Sequence, residues 1–160
     1  MEYVVNGLAD IYTVLSNERR VGGVIETGYI QLRDGQHFPC SVITSIERIG
    51  AANYYVGFIT EEGKRFLSHI DEITLISQPV HKRICQMSNG MYKQMKIDEK
   101  LKYLKKLCQI NEGSRTPVFE KEVKQIAEDI GMDAAGAELD LSFIEYSSEN
   151  ERKINRKRIA

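Results

Sequence analysis

The chain has 160 residues, with 22 lysines and arginines against 23 acidic residues and a formal net charge of -1. This length suits one domain or two small ones, each near the lower size limit for independent stability. The charge balance excludes an overall attraction to nucleic acid or to an acidic membrane surface, so any such preference depends on where the charges lie.

The three cysteines, Cys40, Cys85 and Cys108, are odd in number and far apart. This spacing predicts free thiols rather than a disulfide framework or a CxxC zinc site. The first residues lack a positive segment followed by an apolar one, and no later run is long enough to cross a bilayer. We therefore expect a cytoplasmic protein without membrane contact.

Residues 28–76 predict a compact antiparallel meander, because β-rich runs alternate with glycine-containing turns. The turns centre on Asp34-Gly35, Gly50 and Glu62-Gly63. Before the meander, Leu8 to Leu15 has the apolar spacing of a short N-terminal helix.

The longest predicted strand runs from Phe38 to Ile49. Alternation places Val42, Thr44 and Ile46 on one face, and the more polar opposite face is expected to contact water. Pro79 is predicted to end the β region, because proline cannot donate a hydrogen bond to a sheet.

Beyond that proline the periodicity becomes helical. Leu101 and Leu104 lie on the apolar face of one predicted helix. The next helix has the clearest terminal signals, with Thr116 as N-cap, Pro117 at the first helical position and Gly131 at the C-terminus. The chain is therefore predicted to be an α+β protein.

The predicted organisation has two domains. Residues 1–78 form an antiparallel small β-barrel domain with a short N-terminal helix, and residues 79–160 form a helical domain that ends in a basic tail.

Charge is segregated along the helical half. Lysines cluster between residues 82 and 106, acidic residues between 120 and 145, and basic residues between 152 and 158. The pattern predicts attraction between helical segments or between protomers. The alternative is a basic surface that contacts phosphates. The residues of that alternative surface are Lys100, Lys102, Lys105 and Lys106.

The order of motifs in the meander resembles a Tudor or related SH3-like small barrel. Its motifs are DG-x-x-F-P at Asp34 to Pro39, YYVGF at Tyr54 to Phe58, EGKR at Glu62 to Arg65 and DEI at Asp71 to Ile73. The resemblance covers about a third of the chain and implies a closed barrel of short strands.

Tudor-type modules surround a methylated Lys or Arg with aromatic side chains, because aromatic faces stabilise a cation. By this resemblance, the partner-binding residues would be Phe38, Tyr54, Tyr55 and Phe58. The alternative is that the same aromatics fill and cover a small core. Because this barrel shape also serves other binding modules, the resemblance does not select a ligand.

Residues 33–62 are also similar to the hairpin and closing strand of a PAS sensor domain. Only about thirty residues precede them, too few for the strands and helices that would enclose a ligand in that fold. The PAS resemblance is therefore the weaker of the two.

The apolar and small residues Ile126-Ala127 and Ile130 to Met132 resemble a helix-turn-helix or winged-helix crossing. A further helix, capped by Asp133 and presenting Leu141 and Ile144, is predicted to follow. Its polar side chains are acidic and would repel a phosphate backbone. We expect this unit to pack or to contact protein rather than read bases.

No catalytic pattern is present in the sequence. His37, His69 and His81 each lack a partner at a familiar metal-ligand or nucleophile spacing. Gly22-Gly23 lacks the further glycine or lysine of a phosphate-binding loop. We expect no enzymatic activity, no metal and no cofactor.

The sequence thus predicts a non-enzymatic interaction or adaptor protein that binds a protein or peptide through its β-barrel. The alternative function is a nucleic-acid-binding regulator that uses the basic helix and the helix-turn-helix-like unit. A second copy of the chain is a further candidate partner, bound through the helical domain.

Overall fold

The computed structural model describes residues 4–5, 11–16 and 23–144. The chain divides into two compact units, residues 1–96 and 97–160. The domain boundary predicted from the sequence falls earlier in the chain than this division.

The described strands form two antiparallel sheets. In chain order the strands are β1 (Val4–Val5), β2 (Val24–Glu26), β3 (Tyr29–Leu32), β4 (His37–Pro39), β5 (Val42–Ile49), β6 (Asn53–Ile59), β7 (Arg65–His69), β8 (Ile73–Ser77) and β9 (Val80–Lys82). The four-stranded sheet has the order β1-β8-β3-β4, and the five-stranded sheet has the order β7-β6-β5-β2-β9. The predicted mixed α+β class with antiparallel pairing is confirmed.

Helices lie before, between and after these strands. They are α1 (residues 11–16), α2 (Gly90–Ile110), α3 (Pro117–Ile130) and α4 (Met132–Glu138), with 3-10 turns at Ile70–Glu72 and Ile84–Gln86 and a further helical stretch at residues 142–144. Within the described part of the chain, no helix is long and apolar enough to cross a membrane.

Glycine closes the three predicted hairpin turns. Gly35, Gly50 and Gly63 have φ values of 88°, 76° and 82°, in the left-handed region that glycine enters without steric cost. They connect β3 to β4, β5 to β6 and β6 to β7. The predicted turns are therefore confirmed.

Three pairs of successive strands pass from one sheet to the other through a bend. The bends lie at Thr27-Gly28, Cys40-Ser41 and Gln78-Pro79. Cys40 and Gln78 have φ values of 46° and 43°. The Thr27 amide donates to the Ser41 carbonyl at 2.9 Å, and the Gly28 amide donates to the Ser77 carbonyl at 2.7 Å. The three bends therefore lie side by side and form one corner between the sheets.

Three features of the predicted barrel are wrong. The two sheets are not closed into a barrel. Among the described strands, β4 lies at the edge of one sheet and β7 at the edge of the other, and the two do not pair with each other. The predicted strand from Phe38 to Ile49 is divided at Cys40 between two sheets. Pro79 does not end the β region, because β9 follows it directly. The proline lies in a bend, where its missing N–H removes no hydrogen bond from a sheet.

The predicted faces of β5 are also wrong. Ile43 is 4% exposed, whereas Thr44 is exposed. The pairing register with β6 shifts between Ile43 and Ser45, so the alternation changes phase at this irregularity. Beyond it, Ile46 packs against the core.

Two apolar clusters are formed by described residues of the first unit. The larger cluster contains α1 and strand residues from both sheets; its fully buried members include Ile11, Ile30, Val56, Phe58 and Ile76. A smaller cluster places Met87 and Tyr92 against strand residues Val42 and Ile59. Since Ile59 alternates with Phe58 along β6, this second cluster covers the opposite face of the five-stranded sheet.

In the second unit, α3 has the predicted ends. The Thr116 hydroxyl accepts a hydrogen bond from the Phe119 amide at 3.3 Å, and Pro117 is the first helical residue. Gly131, with φ 99°, ends the helix. The N-cap and the terminal glycine thus set the length of α3 as predicted.

The helix predicted after Asp133 is interrupted. Its first part, α4, ends at Glu138, and Leu139 is extended. The Asp140 carboxylate then accepts a hydrogen bond from the Ser142 amide at 3.1 Å, just before the next helical stretch. The prediction of one continuous helix capped by Asp133 is wrong, because Gly131 precedes α4, Asp133 lies inside it, and the extended Leu139 ends it.

Opposite charges meet between the helices of the second unit. Lys105 Nζ lies 2.6 Å from a Glu138 carboxylate oxygen, and the Tyr103 hydroxyl donates to Glu122 at 2.6 Å. The predicted attraction between basic and acidic segments is confirmed at Lys105. The predicted basic tail, residues 152–158, lies outside the described residues.

Candidate functional site

The four aromatic residues predicted to bind a partner do not surround one cavity. Tyr54 packs beside Tyr12 of α1, with ring centroids 4.5 Å apart. Tyr55 points to the other face of β6 and meets His69 edge to face at 5.1 Å. Phe38 and Phe58 pack against each other at a third place, so the four predicted residues are divided among three places.

A phenylalanine cluster occupies the edge of the inner core. Phe38 on β4 lies 5.5 Å from Phe58 on β6 and 4.8 Å from Phe66 on β7, between ring centroids. Phe58 is 1% exposed, whereas Phe38 and Phe66 are half-buried. Sequence reasoning missed Phe66, although alternation in the RFLSH strand places it on the same face as Ser68 and opposite Leu67.

An open cavity of about 290 Å³ lies above this cluster. We call it the β4–β7 cleft, because residues of both strands line it. The lining residues are Gln36, His37, Phe38, Pro39, Thr60, Glu61, Glu62, Lys64 and Phe66. Phe38 and Phe66 supply its aromatic surface, and the turn between β6 and β7 supplies its charged rim.

The two strands beside the cleft are both sheet edges. Among the described strands, β4 pairs only with β3, and β7 pairs only with β6. An edge strand presents backbone N–H and C=O groups that can pair with an added strand. At five residues, β7 is the longest edge strand described.

The rim of the β4–β7 cleft has an excess of negative charge. Glu61 and Glu62 are both exposed, and Lys64 lies 3.1 Å from a Glu62 carboxylate oxygen. Burial raises the pKa of the nearby Cys40 thiol, and the carboxylate of Glu61 raises it further, followed by that of Glu26. The negative potential of Glu61 thus extends to the bend at the end of β4.

A buried carboxylate fixes the corner behind the cleft. Glu26 at the end of β2 is 3% exposed. Its oxygens accept hydrogen bonds from Lys82 Nζ at 2.7 Å, from the Ser88 amide at 2.9 Å and from the Asn89 amide at 2.8 Å. Because these amides precede the first turn of α2, the positive end of the helix dipole also favours the carboxylate. No local pattern in the sequence indicated that Glu26 would be buried.

Asn89 connects the two walls of the cleft. It is 0% exposed, and its side-chain amide donates to the Cys40 carbonyl at 2.9 Å and to the Thr60 carbonyl at 3.1 Å. Its side-chain oxygen accepts from the Tyr92 amide at 3.0 Å and caps α2. Because Cys40 follows β4 and Thr60 follows β6, Asn89 fixes the separation of these strand ends.

The Glu26 contacts predict acid sensitivity. Burial by itself raises the pKa of Glu26, but the hydrogen bonds from Lys82, Asn89 and Ser88 together outweigh it and hold the pKa below its ordinary value of 4.5. The stabilisation is therefore complete above the pKa of the unfolded chain and is lost as the pH falls through the lower folded-state pKa.

We expect the stability difference between the natural protein and a Glu26→Gln variant to shrink as the pH falls below about 4.5. Urea denaturation from about pH 7 to about pH 3 measures the difference directly. A difference that stays constant across this range would show that the ionised form of Glu26 contributes nothing.

The lysines predicted to contact nucleic acid are not equivalent. Lys102 and Lys106 are exposed one helical turn apart on α2, whereas Lys105 is held by Glu138. Lys100 is half-buried and lies on another side of the helix. The nucleic-acid alternative stays a prediction, and it depends on Lys102 and Lys106.

Other reactive groups are dispersed. In the part of the chain that the structure describes, no three His, Cys, Asp or Glu side chains are grouped as a metal site would require. Cys40, Cys85 and Cys108 form no disulfide and are half-buried. Burial raises the pKa of Cys108 as it does that of Cys40, which disfavours the reactive thiolate at both positions.

Comparison with known proteins supplies no family for the chain. No protein-family model, curated protein or solved structure shows significant similarity to it.

Proposed function

We propose that the chain is a non-enzymatic interaction protein that binds an extended peptide segment of a partner protein in the β4–β7 cleft. The observation that carries this proposal is an open cavity of about 290 Å³ between two unpaired sheet edges, with Phe38 and Phe66 at its base. Together these features offer backbone pairing and an apolar side-chain pocket, which are the two requirements for recognition by strand addition.

In this proposal the partner segment pairs with the free edge of β7. Backbone hydrogen bonds to β7 supply affinity that is independent of sequence, and one side chain of the peptide enters the cavity against Phe38 and Phe66. The volume of about 290 Å³ suits a single large apolar side chain better than a whole organic cofactor.

Charge at the rim selects the neighbours of that apolar side chain. Glu61 and Glu62 outnumber Lys64, which already pairs with Glu62. A lysine or arginine next to the apolar residue would therefore be favoured, whereas an acidic neighbour would be repelled. The proposed ligand is an extended peptide with one large apolar residue beside a basic residue.

The finer fold and the location belong to the same proposal. We interpret the first unit as an opened variant of the SH3-like small barrel, supported by the three bends at which the chain passes from one sheet into the other. A cytoplasmic location is supported by the three cysteines, none of which forms a disulfide, because extracellular proteins tend to pair their cysteines.

Selection from a random peptide library, followed by affinity measurement with the selected peptide, tests the proposal. We expect selected sequences to combine a large apolar residue with lysine or arginine. The double variant Glu61→Lys with Glu62→Lys should weaken binding by about tenfold or more, because attraction becomes repulsion, and the loss should diminish with added salt.

A matched double variant, Glu47→Lys with Glu72→Lys, changes the net charge equally at exposed positions outside the cleft. It should leave affinity for the selected peptide within about twofold of the natural protein. If both double variants lost affinity equally, the effect would come from net charge and the assigned site would be wrong.

A further inference from the structure

A second cavity lies on the other face of the sheet from the phenylalanine cluster. It has a volume of about 440 Å³ and lies between the outer surface of β5, β6 and β7 and the first turns of α2. Leu67, Tyr92 and Met95 are among its lining residues. We call it the α2 cleft, and all of its lining residues belong to the first unit.

Gly57, which has no side chain, shapes the floor of the α2 cleft. Gly57 lies opposite Ser45 in the register of β5 and β6, where that register is irregular. A Cβ atom at position 57 would collide with the Ser45 hydroxyl and would come within 3.3 Å of the Thr44 hydroxyl. The glycine therefore leaves a depression in which two hydroxyl groups lie at the surface.

Large apolar side chains are exposed in the walls of the α2 cleft. Leu67 is 58% exposed and Met95 is 39% exposed, and both border the cleft. Tyr92 and Ile59, which are almost fully buried, form the apolar surface beneath them. A ligand with an apolar body would remove this surface from water, and the volume falls in the range of small-molecule sites.

Cationic groups border the same cleft. Arg65 is exposed and lines it from β7. Lys96 lines it from α2, and its ammonium lies 5.8 Å from the centre of the Tyr92 ring. No acidic residue is among the residues that line it. The charge at this cleft is thus opposite to that at the β4–β7 cleft, where Glu61 and Glu62 form the rim.

We propose that the α2 cleft binds a small organic anion with an apolar body, such as a medium-chain carboxylate. The apolar part lies against Leu67 and Met95, above Gly57. The anionic group faces Arg65, and the hydroxyls of the irregular β5 segment offer hydrogen bonds. The proposal rests on Leu67 and Met95 rather than on the phenylalanine rings of the β4–β7 cleft, although Phe66 is among the residues that line both cavities.

Titration of the full-length protein with decanoate, below its micelle concentration, tests the proposal. We expect two-dimensional amide NMR spectra to show saturable shifts at Gly57 and Leu67. The neutral analogue 1-decanol and the cationic analogue decyltrimethylammonium should bind more weakly than decanoate by about threefold to tenfold, because only decanoate is attracted to Arg65.

Two pairs of variants locate the bound molecule. Arg65→Gln should remove most of the preference for decanoate over decanol, and Arg33→Gln, an exposed arginine outside the cleft, should not. Leu67→Ser should weaken the binding of decanoate by about threefold or more. Ile49→Ser, at a comparably exposed strand position, should leave the binding unchanged.

Each failure overturns a stated part of the proposal. Absence of saturable shifts at Gly57 and Leu67 would exclude the site. Equal binding of the three decyl compounds would exclude recognition of the anion, and equal losses in the cleft variants and their controls would place binding elsewhere.

Discussion

Replacing Glu26 with alanine is expected to lower the free energy of unfolding of the first unit by about 3 kcal/mol or more. The substitution removes the acceptor for the Ser88 and Asn89 amides and leaves the Lys82 ammonium without its carboxylate. The Asn89 amide belongs to a residue with 0% exposure, so after losing its acceptor it retains the full cost of leaving water. Urea denaturation followed by tyrosine fluorescence measures the change.

Glu47→Ala is the matched control for this experiment. Glu47 is also a strand glutamate, but it is exposed. Its replacement should change stability by no more than about 0.5 kcal/mol. Similar losses for Glu26→Ala and Glu47→Ala would contradict the role assigned to the buried carboxylate.

Replacing Asn89 with alanine is the second large effect we expect, with a loss of about 3 kcal/mol. One side chain caps α2 and also satisfies the carbonyls of Cys40 and Thr60 at the ends of two strands. Alanine removes both functions at a site with 0% exposure. Native-state hydrogen exchange at amides of β5 and β6 measures the loss in the first unit alone.

Thr116→Ala separates these two functions. Thr116 caps α3 at an exposed site through the same type of bond, in which its hydroxyl accepts a hydrogen bond from the Phe119 amide. Its replacement should lower the free energy of unfolding of the second unit by about 1 kcal/mol, the usual value for an N-cap. An equal cost at the two positions would mean that the carbonyl contacts of Asn89 add nothing.

Local signals in the sequence predicted the turns and the best-defined helix. Gly35, Gly50 and Gly63 have the positive φ values that their turns require, and Thr116 and Gly131 mark the two ends of α3. These features depend on neighbours within a few residues. A single sequence is therefore sufficient to locate them.

The bends between the sheets could not be predicted in this way. Cys40 and Gln78 have positive φ values without being glycine. Both bends are held by pairing with a distant segment, because the Cys40 amide donates to the Gly28 carbonyl and the carbonyl of Ser77, beside Gln78, accepts from the Gly28 amide. Residues other than glycine rarely enter this region, so sequence patterns favour continuous strands. The predicted barrel failed at these bends and at the unpaired edges of β4 and β7.

The candidate site was predicted only in part. Phe38 was identified among the aromatic residues and lines the β4–β7 cleft, whereas Phe58 lies beneath it in the core. Phe66 and the support from Glu26 and Asn89 were missed. Their roles arise from contacts between residues up to 63 positions apart, as between Glu26 and Asn89, which local periodicity does not encode.

The most direct test of peptide binding at β7 is an NMR study of the isotope-labelled protein with a peptide selected from the random library. We expect slowed exchange of β7 backbone amides, and cross-strand contacts between the peptide and Arg65–His69, with the apolar peptide side chain against Phe66. A bound peptide that contacted only α2, α3 or α4, and left the β7 amides unchanged, would contradict the proposed site.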